Sequence, residues 1–185
     1  MKSLACLLLL ACAAAPTQEA TKPVSDTIQE TFEPAEPTAH HQWLQQLVGE
    51  WAMSTEATMG PDTEPVKFES TESVRSVGGL WVVAEGNGEI SGQKMQTCMT
   101  LGYDEKQSAY IGTWIDSMQT HMWMYRGTLD ASKKTLTLEA EGPSFDDPKK
   151  SAKYRDAITI ESKDAKTLTS SVLGDDGKWT TFMTA

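Results

Sequence analysis

The sequence predicts a mainly β protein: an antiparallel up-and-down barrel of about ten strands, preceded by a short helix. Three observations favour this fold. From Glu50 onward, apolar and polar residues alternate in short segments. Turn-forming residues separate these segments, most clearly at Asp175-Asp176-Gly177. No helical pattern lies between them, so consecutive strands are expected to pair around a closed sheet. A β-sandwich is the competing arrangement.

The helix is predicted within "HHQWLQQLVG", where apolar residues recur at spacings of three and four and Gly49 can end the helix. Its apolar stripe is Trp43, Leu44, Leu47 and Val48, and we expect it to close one end of the core. The domain is predicted over 39–185. The strands are predicted at 50–59, 65–76, 80–87, 93–103, 108–116, 120–129, 134–141, 153–162, 166–173 and 178–184.

The first residues predict export. "LACLLLLACAAA", residues 4–15, is apolar but too short to span a bilayer, which is typical of a secretory signal peptide. "LLAC", ending at Cys12, resembles a bacterial lipoprotein signal. We therefore expect a signal peptide over 1–11 and a periplasmic or outer-membrane lipoprotein anchored to the membrane through Cys12. Cleavage after the alanines, giving a soluble exported protein, is the alternative.

A tether is predicted over 12–38. Residues 13–38 hold four of the eight prolines, five acids and one aromatic residue. Such a composition buries too little apolar surface to offset the entropy cost of ordering the chain, so we expect this segment to be disordered.

Charge and cysteine content narrow the possible partners. The formal net charge of −10 argues against nucleic acid and against anionic lipid surfaces, since both need a basic face. Signal cleavage removes Cys6 and lipidation consumes Cys12, so Cys98 is left alone and is expected to pack as a small hydrophobe. We expect a monomer.

Mixed strand faces are the strongest sign of a ligand cavity. Read with a period of two, "YIGTWIDSM" (110–118) places tryptophan and a carboxylate on one face, and similar faces recur on neighbouring strands. Ligand cavities combine apolar walls with a few polar groups. The candidate ligand-binding residues are Trp81, Glu85, Tyr103, Trp114, Asp116, Trp123 and Tyr125, with Arg75 and Arg155 as partners for inward acids.

Three alternatives remain open at these positions. The aromatic residues can simply fill a solid core. Asp116 can be a turn residue at the rim. The opposite register would place Ile111 and Ile115 inside with Met122 and Met124, because a slip of one residue inverts every face.

Metal and catalytic motifs are not evident. His40 and His41 are adjacent, so on a helix they point in different directions and are poor joint ligands; we expect exposed imidazoles. No Gly-x-Ser-x-Gly motif is present, and Gly86-Asn87-Gly88 is interpreted as a turn. We expect no metal and no cofactor.

Short motifs occur in a characteristic order along residues 41–185: "HQWLQQLVGEW", "MGPD", "TESVRSVGGLWVVAE", "TLGYD", "YIGTWIDSM", "RGTLD", "EGP", "YRD" and "GDDGKWTTFMTA". In these motifs the chain resembles the bacterial family catalogued as domain of unknown function 1579. The helix that runs into Gly49-Glu50-Trp51 is similar to the start of lipocalin-like barrels. The resemblance implies a secreted or lipid-anchored lipocalin-like barrel and no assigned reaction. Family members usually continue beyond "FMTA", so we expect a short last strand and a weak barrel seam.

These observations favour an envelope protein that binds a small, largely apolar molecule inside the barrel, without catalysis. The first alternative is a solid barrel acting as a structural or protein-interaction module of the envelope. The less favoured one is an uncharacterised enzyme that uses Asp116 and Tyr125 as acid and base.

Overall fold

A closed barrel of ten antiparallel strands forms the fold, as the sequence predicts. The computed structural model describes residues 33–58 and 63–185, and the barrel lies in the unit Glu36–Ala185. Cys12, the predicted signal peptide and most of the predicted tether lie outside the described residues. The strands are β1 Gly49–Ala57, β2 Val66–Val77, β3 Trp81–Ile90, β4 Gln93–Asp104, β5 Ala109–Asp116, β6 Trp123–Leu129, β7 Thr135–Pro143, β8 Ser151–Ser162, β9 Ala165–Leu173 and β10 Trp179–Thr184.

Each strand pairs with its neighbours in sequence, and β1 closes the ring by pairing with β10. This seam is short, as expected: Glu56 pairs with Thr184 and Ala57 with Met183, whereas β1 pairs with β2 along its whole length. Beside the seam, Lys166 on β9 places Nζ 2.5 Å from Oε1 of Glu72 on β2 and 4.5 Å from the ring centroid of Trp51 on β1. Both charged side chains are largely buried, so this contact links three strands where the seam ends.

A short helix covers one end of the barrel. The helix α1 spans Ala39–Leu44 and continues into a 3-10 turn at Gln45–Leu47. Trp43 donates from Nε1 to the carbonyl of Lys133 at 2.9 Å, and His41 donates from Nε2 to the carbonyl of Tyr103 at 3.1 Å. We call this the helix end and the opposite end, which carries the 117–122 and 144–150 loops, the loop end. The expectation of an exposed imidazole is wrong for His41, which is buried because it also caps the helix through Thr38.

The helix half of the barrel is a packed core. Alternate residues of each strand point inward, and those nearest the helix are almost fully buried. A cavity of about 30 Å³ remains among them, with room for about two water molecules. The main core residues are Leu44, Leu47, Val74, Val82, Leu101, Tyr110, Leu136, Leu138 and Ile158.

The predicted strand limits lie within two residues of the observed ones except at two places. Gly86-Asn87-Gly88 is not a turn but part of β3, because the hairpin closes later, at Ser91 and Gly92, where φ is 51° and 83°. The strand predicted from 120 begins at Trp123, because the 117–119 turn is organised by the carboxylate of Asp116.

Replacing Gly112 on β5 tests how closely the strands pack in the helix half of the barrel. A Cβ at Gly112 would lie 1.9 Å from the carbonyl oxygen of Thr100 on β4, whereas one at Gly88 would lie 2.9 Å from the Cβ of Ser70. We expect Gly112→Ala to lower the free energy of unfolding by about 3 kcal/mol and the control Gly88→Ala by about 1 kcal/mol. Urea denaturation measures both, and equal losses would contradict the packing described here.

Candidate functional site

The register of β4, β5 and β6 settles which face of "YIGTWIDSM" points inward. Tyr110, which is 1% exposed, lies on the same face as Gly112, Trp114 and Asp116, and Trp114 pairs with Trp123. Ile115 is 46% exposed on the outside. The alternative register with isoleucines inside is therefore wrong. The predicted residues that point into the barrel are Tyr103, Trp114, Asp116, Trp123 and Tyr125.

Trp81 and Glu85 lie on the outer face of β3, so the expectation that they point inward is wrong. Val82 and Ala84 supply the inward side chains of β3 and are 2% and 8% exposed. The ring of Trp81 instead covers Gly102, where a Cβ would lie 2.3 Å from it. The sequence is ambiguous here because apolar residues occupy both faces of "LWVVAE".

The two arginines also lie outside. Arg75 is exposed next to the inward Val74. Arg155 places Nη2 2.6 Å from Glu139 on the outer face and its guanidinium 4.0 Å from the ring centroid of Trp179. The expectation that these arginines pair with inward acids is wrong, because strand alternation gives each of them the outward position.

Asp116 organises a turn at the loop end. Its Oδ1 accepts hydrogen bonds from the backbone N–H groups of Met118 at 2.5 Å and Gln119 at 3.1 Å, and its Oδ2 accepts one from Nε2 of Gln119 at 2.7 Å. This arrangement is typical of an aspartate at the start of a turn. A direct ligand contact by Asp116 stays a prediction, and both of its oxygens already have partners.

A polar cluster that the sequence interpretation missed lies inside the barrel, near the middle of β8. Tyr125 on β6 donates its phenol hydrogen to the carboxyl of Asp156 on β8, and Ser170 on β9 also hydrogen-bonds to this carboxyl. Tyr125 and Ser170 are 8% and 4% exposed. We call Tyr125, Asp156 and Ser170 the polar cluster. The available signal was a lone acid on a face otherwise formed by Ala152, Tyr154, Ile158 and Ile160.

Burial governs the ionisation of this cluster. It raises the pKa of Asp156 above its ordinary value, although hydrogen bonds from Ser170 and Tyr125 oppose the rise. Burial, with the nearby Asp156, also raises the pKa of Tyr125 well above its ordinary value, so the phenol keeps its proton at neutral pH. No cation among the described residues forms an ion pair with Asp156. Two hydroxyl groups therefore hold the carboxyl, and no ion pair within the described residues adds to them.

Inward residues are less completely buried in the loop half of the barrel than in the helix half. Inward residues on the loop side of β2, β4 and β5 are partly exposed, whereas Val74, Leu101 and Tyr110 on the same strands are buried. We call this part of the lumen the cup. The inward residues that surround it are Phe68, Ser70, Gly86, Gly88, Met95, Thr97, Trp114, Trp123 and Asp156.

The wall opposite Asp156 contains two glycines, Gly86 and Gly88. In the ring, β3 and β8 are five strands apart, so they face each other across the lumen. Gly86 and Gly88 occupy inward positions of β3 and extend no side chain toward β8. Neighbouring side chains cover both glycines: a Cβ at Gly86 would lie 2.3 Å from Oγ1 of Thr97, and one at Gly88 would lie 2.9 Å from Cβ of Ser70.

An aromatic wall lies above the polar cluster toward the loop end. Trp123 lies against Gly142, where a Cβ would be 2.5 Å from its ring, and its centroid is 4.7 Å from that of Tyr154. Phe145 continues the wall to Phe182 at 5.0 Å between centroids. Next to them, the 144–150 loop and the 174–178 turn border a cleft of about 750 Å³. Nε1 of Trp123 is buried and has no hydrogen-bond partner in the described part of the chain.

The described residues contain no group of three or more histidine, cysteine or acidic side chains placed to hold a metal ion. Asp116 and Tyr125 take separate hydrogen-bond partners and do not form an acid–base pair. None of the described helices has the length and apolar character needed to cross a bilayer.

Asp156→Asn tests the electrostatic cost of the buried carboxyl. Because folding raises the pKa of Asp156 above its ordinary 3.8, the carboxyl favours folding most below that value, and this contribution is lost as pH rises through the folded pKa. We expect the variant to gain stability relative to the wild type as pH rises from about 3 to about 7. Glu89→Gln, on the exposed outer face of β3, is the control for the loss of one carboxyl charge. Thermal unfolding across this range measures it, and parallel curves for Asp156→Asn and wild type would refute the account.

The comparisons with known proteins support the resemblance noted from the motifs. No curated protein matches the chain. A family model described as "Protein of unknown function (DUF1579)" matches residues 36–185. The match covers every strand of the barrel and the helix before it. The chain therefore belongs to this family, the β-barrel proteins of unknown function DUF1579.

Proposed function

We propose that this protein binds a small, largely apolar molecule in the cup and performs no catalysis. The observation that carries the proposal is the contrast between the two halves of the lumen. Most inward side chains of the helix half are buried, whereas Phe68, Met95 and Trp114 in the loop half are only partly buried. Apolar surface that faces an enclosed space gains free energy when a ligand displaces the water there.

The polar cluster supplies the specificity that an apolar cavity lacks. Binding sites for small molecules combine apolar walls with a few placed polar groups that orient the ligand. Asp156 offers such a group at the base of the cup, and Tyr125 and Ser170 hold its carboxyl in position. A ligand with one polar end would therefore bind with that end toward Asp156 and its apolar part against the tryptophans.

The cellular location belongs to the same proposal. The apolar segment 4–15, the "LLAC" motif and the proline-rich residues that follow support export and attachment to an envelope membrane through a lipid on Cys12. A binding barrel on such a tether would act in the periplasm or at the outer membrane.

The exposed apolar residues at the 117–122 loop favour a second candidate function, docking of an envelope protein on the outer face. Met118, Met122 and Met124 are 49%, 52% and 59% exposed, and Ile115 lies close to them. Flexible methionine side chains are common at binding surfaces. This function would not depend on the cup.

Filling the cup should abolish ligand binding. Thr97 on β4 points into the cup and the adjacent Gln96 points outward, so Thr97→Phe and Gln96→Phe add the same side chain on opposite faces. With the neutral apolar dye N-phenyl-1-naphthylamine, whose emission rises in apolar surroundings, we expect Thr97→Phe to weaken binding about tenfold and Gln96→Phe to leave it unchanged. Dye binding that is absent from the wild type, or equal in all three proteins, would remove the proposal.

Cys12→Ala should release the protein from membranes. Loss of the thiol removes the site of lipid attachment, and the tethered barrel has no other proposed anchor. We expect metabolic labelling with a fatty acid to mark the wild type and not the variant, and the variant to move to the soluble fraction. A variant that still sediments with membranes would contradict the anchor.

A further inference from the structure

The interior of the barrel is poor in positive charge. Among the described strand residues, the inward acids are Glu72, Asp116 and Asp156, and the inward cation is Lys166. Lys166 is already paired with Glu72 beside the seam. Asp116 uses both oxygens in its turn. Neither Asp116 nor Asp156 forms an ion pair among the described residues, but Asp116 accepts three hydrogen bonds in its turn and Asp156 accepts two, so Asp156 is the inward carboxyl with the fewest partners.

Asp156 also has capacity for a further donor. A carboxylate offers about four lone-pair positions, and Tyr125 and Ser170 supply two hydrogen bonds. An ionised group in a low-dielectric site is costly unless an opposite charge compensates it. The arginines that could have done so, Arg75 and Arg155, are held on the outer face.

The aromatic side chains around the cup would also attract a positive charge. Trp114 and Trp123 form a cross-strand pair on the inner face, next to the strands that carry the polar cluster. The faces of tryptophan rings attract cations, most strongly where water is excluded. An anionic head would instead meet a carboxylate with no cation to neutralise either group.

We propose that the cup selects ligands with a cationic head, an ammonium or amine group on an apolar tail, and that Asp156 binds this head. This inference rests on the proposed function, since it assigns the polar end of the ligand held in the cup. It names amphiphilic amines as the ligand class and excludes fatty acids. Asp156 receives an N–H hydrogen bond and the counter-charge that the chain itself does not provide.

The test uses ligands of one tail length and three head charges. Dodecylamine, dodecanol and dodecanoate, each below its aggregation concentration at neutral pH, compete with N-phenyl-1-naphthylamine for the wild-type protein. We expect dodecylamine to displace the dye at about tenfold lower concentration than dodecanol, and dodecanoate to be the weakest competitor. Asp156→Asn should remove the advantage of the amine while dodecanol competes as before.

The control Glu89→Gln removes one negative charge from the outer face of β3 and should keep the preference for the amine. This control separates pairing in the cup from attraction to the net charge of −10. Equal competition by amine and alcohol, or an amine advantage that survives Asp156→Asn, would overturn the inference while the proposed function stands. Failure of the dye and of all three ligands to bind would overturn both.

Discussion

Closure of the ring is the constraint on which the rest of this structure depends. Each strand offers one face to a single shared interior, and that interior exists because β1 meets β10 at Glu56–Thr184 and Ala57–Met183. The seam is short, and the ion pair of Lys166 with Glu72, beneath which lies Trp51, continues the link between β9 and β2. Lys166 is thereby used for closure and is not free to bind a ligand. The cup is left without an inward cation among the described strand residues.

Much of the fold could be predicted because a period of two, interrupted by turns, has few alternatives over such a length. The ten strands and the capping helix were found in order, and the limits moved by more than two residues only where a side chain or a tight turn decided them, at Asp116 and at Ser91-Gly92. It was harder to predict which side chains of a strand face inward. On β5 the aromatic face was correctly placed inside, but on β3 apolar residues occur on both faces and Trp81 covers Gly102 from outside.

The candidate site could be predicted only in part, because its central contact joins residues far apart in the chain. Tyr125 was expected to point inward and does so, yet its partner Asp156 lies 31 residues later and meets it across β7. Alternation could have singled out Asp156 as a lone inward acid. It could not have shown that Arg155, its immediate neighbour, is directed to Glu139 on the other side of the wall.

The helix covers one end of the barrel. Trp43 and His41 bond it to the carbonyls of Lys133 and Tyr103, so a ligand of the proposed kind would enter from the loop end. A molecule whose polar group must reach Asp156 would have to enter head first and lose its hydration shell before its tail finds contacts. A head that is harder to dehydrate would then associate more slowly. A longer tail against the aromatic wall would lengthen the residence time. Two such molecules could not occupy the base of the cup together, so competing ligands would exchange one after another.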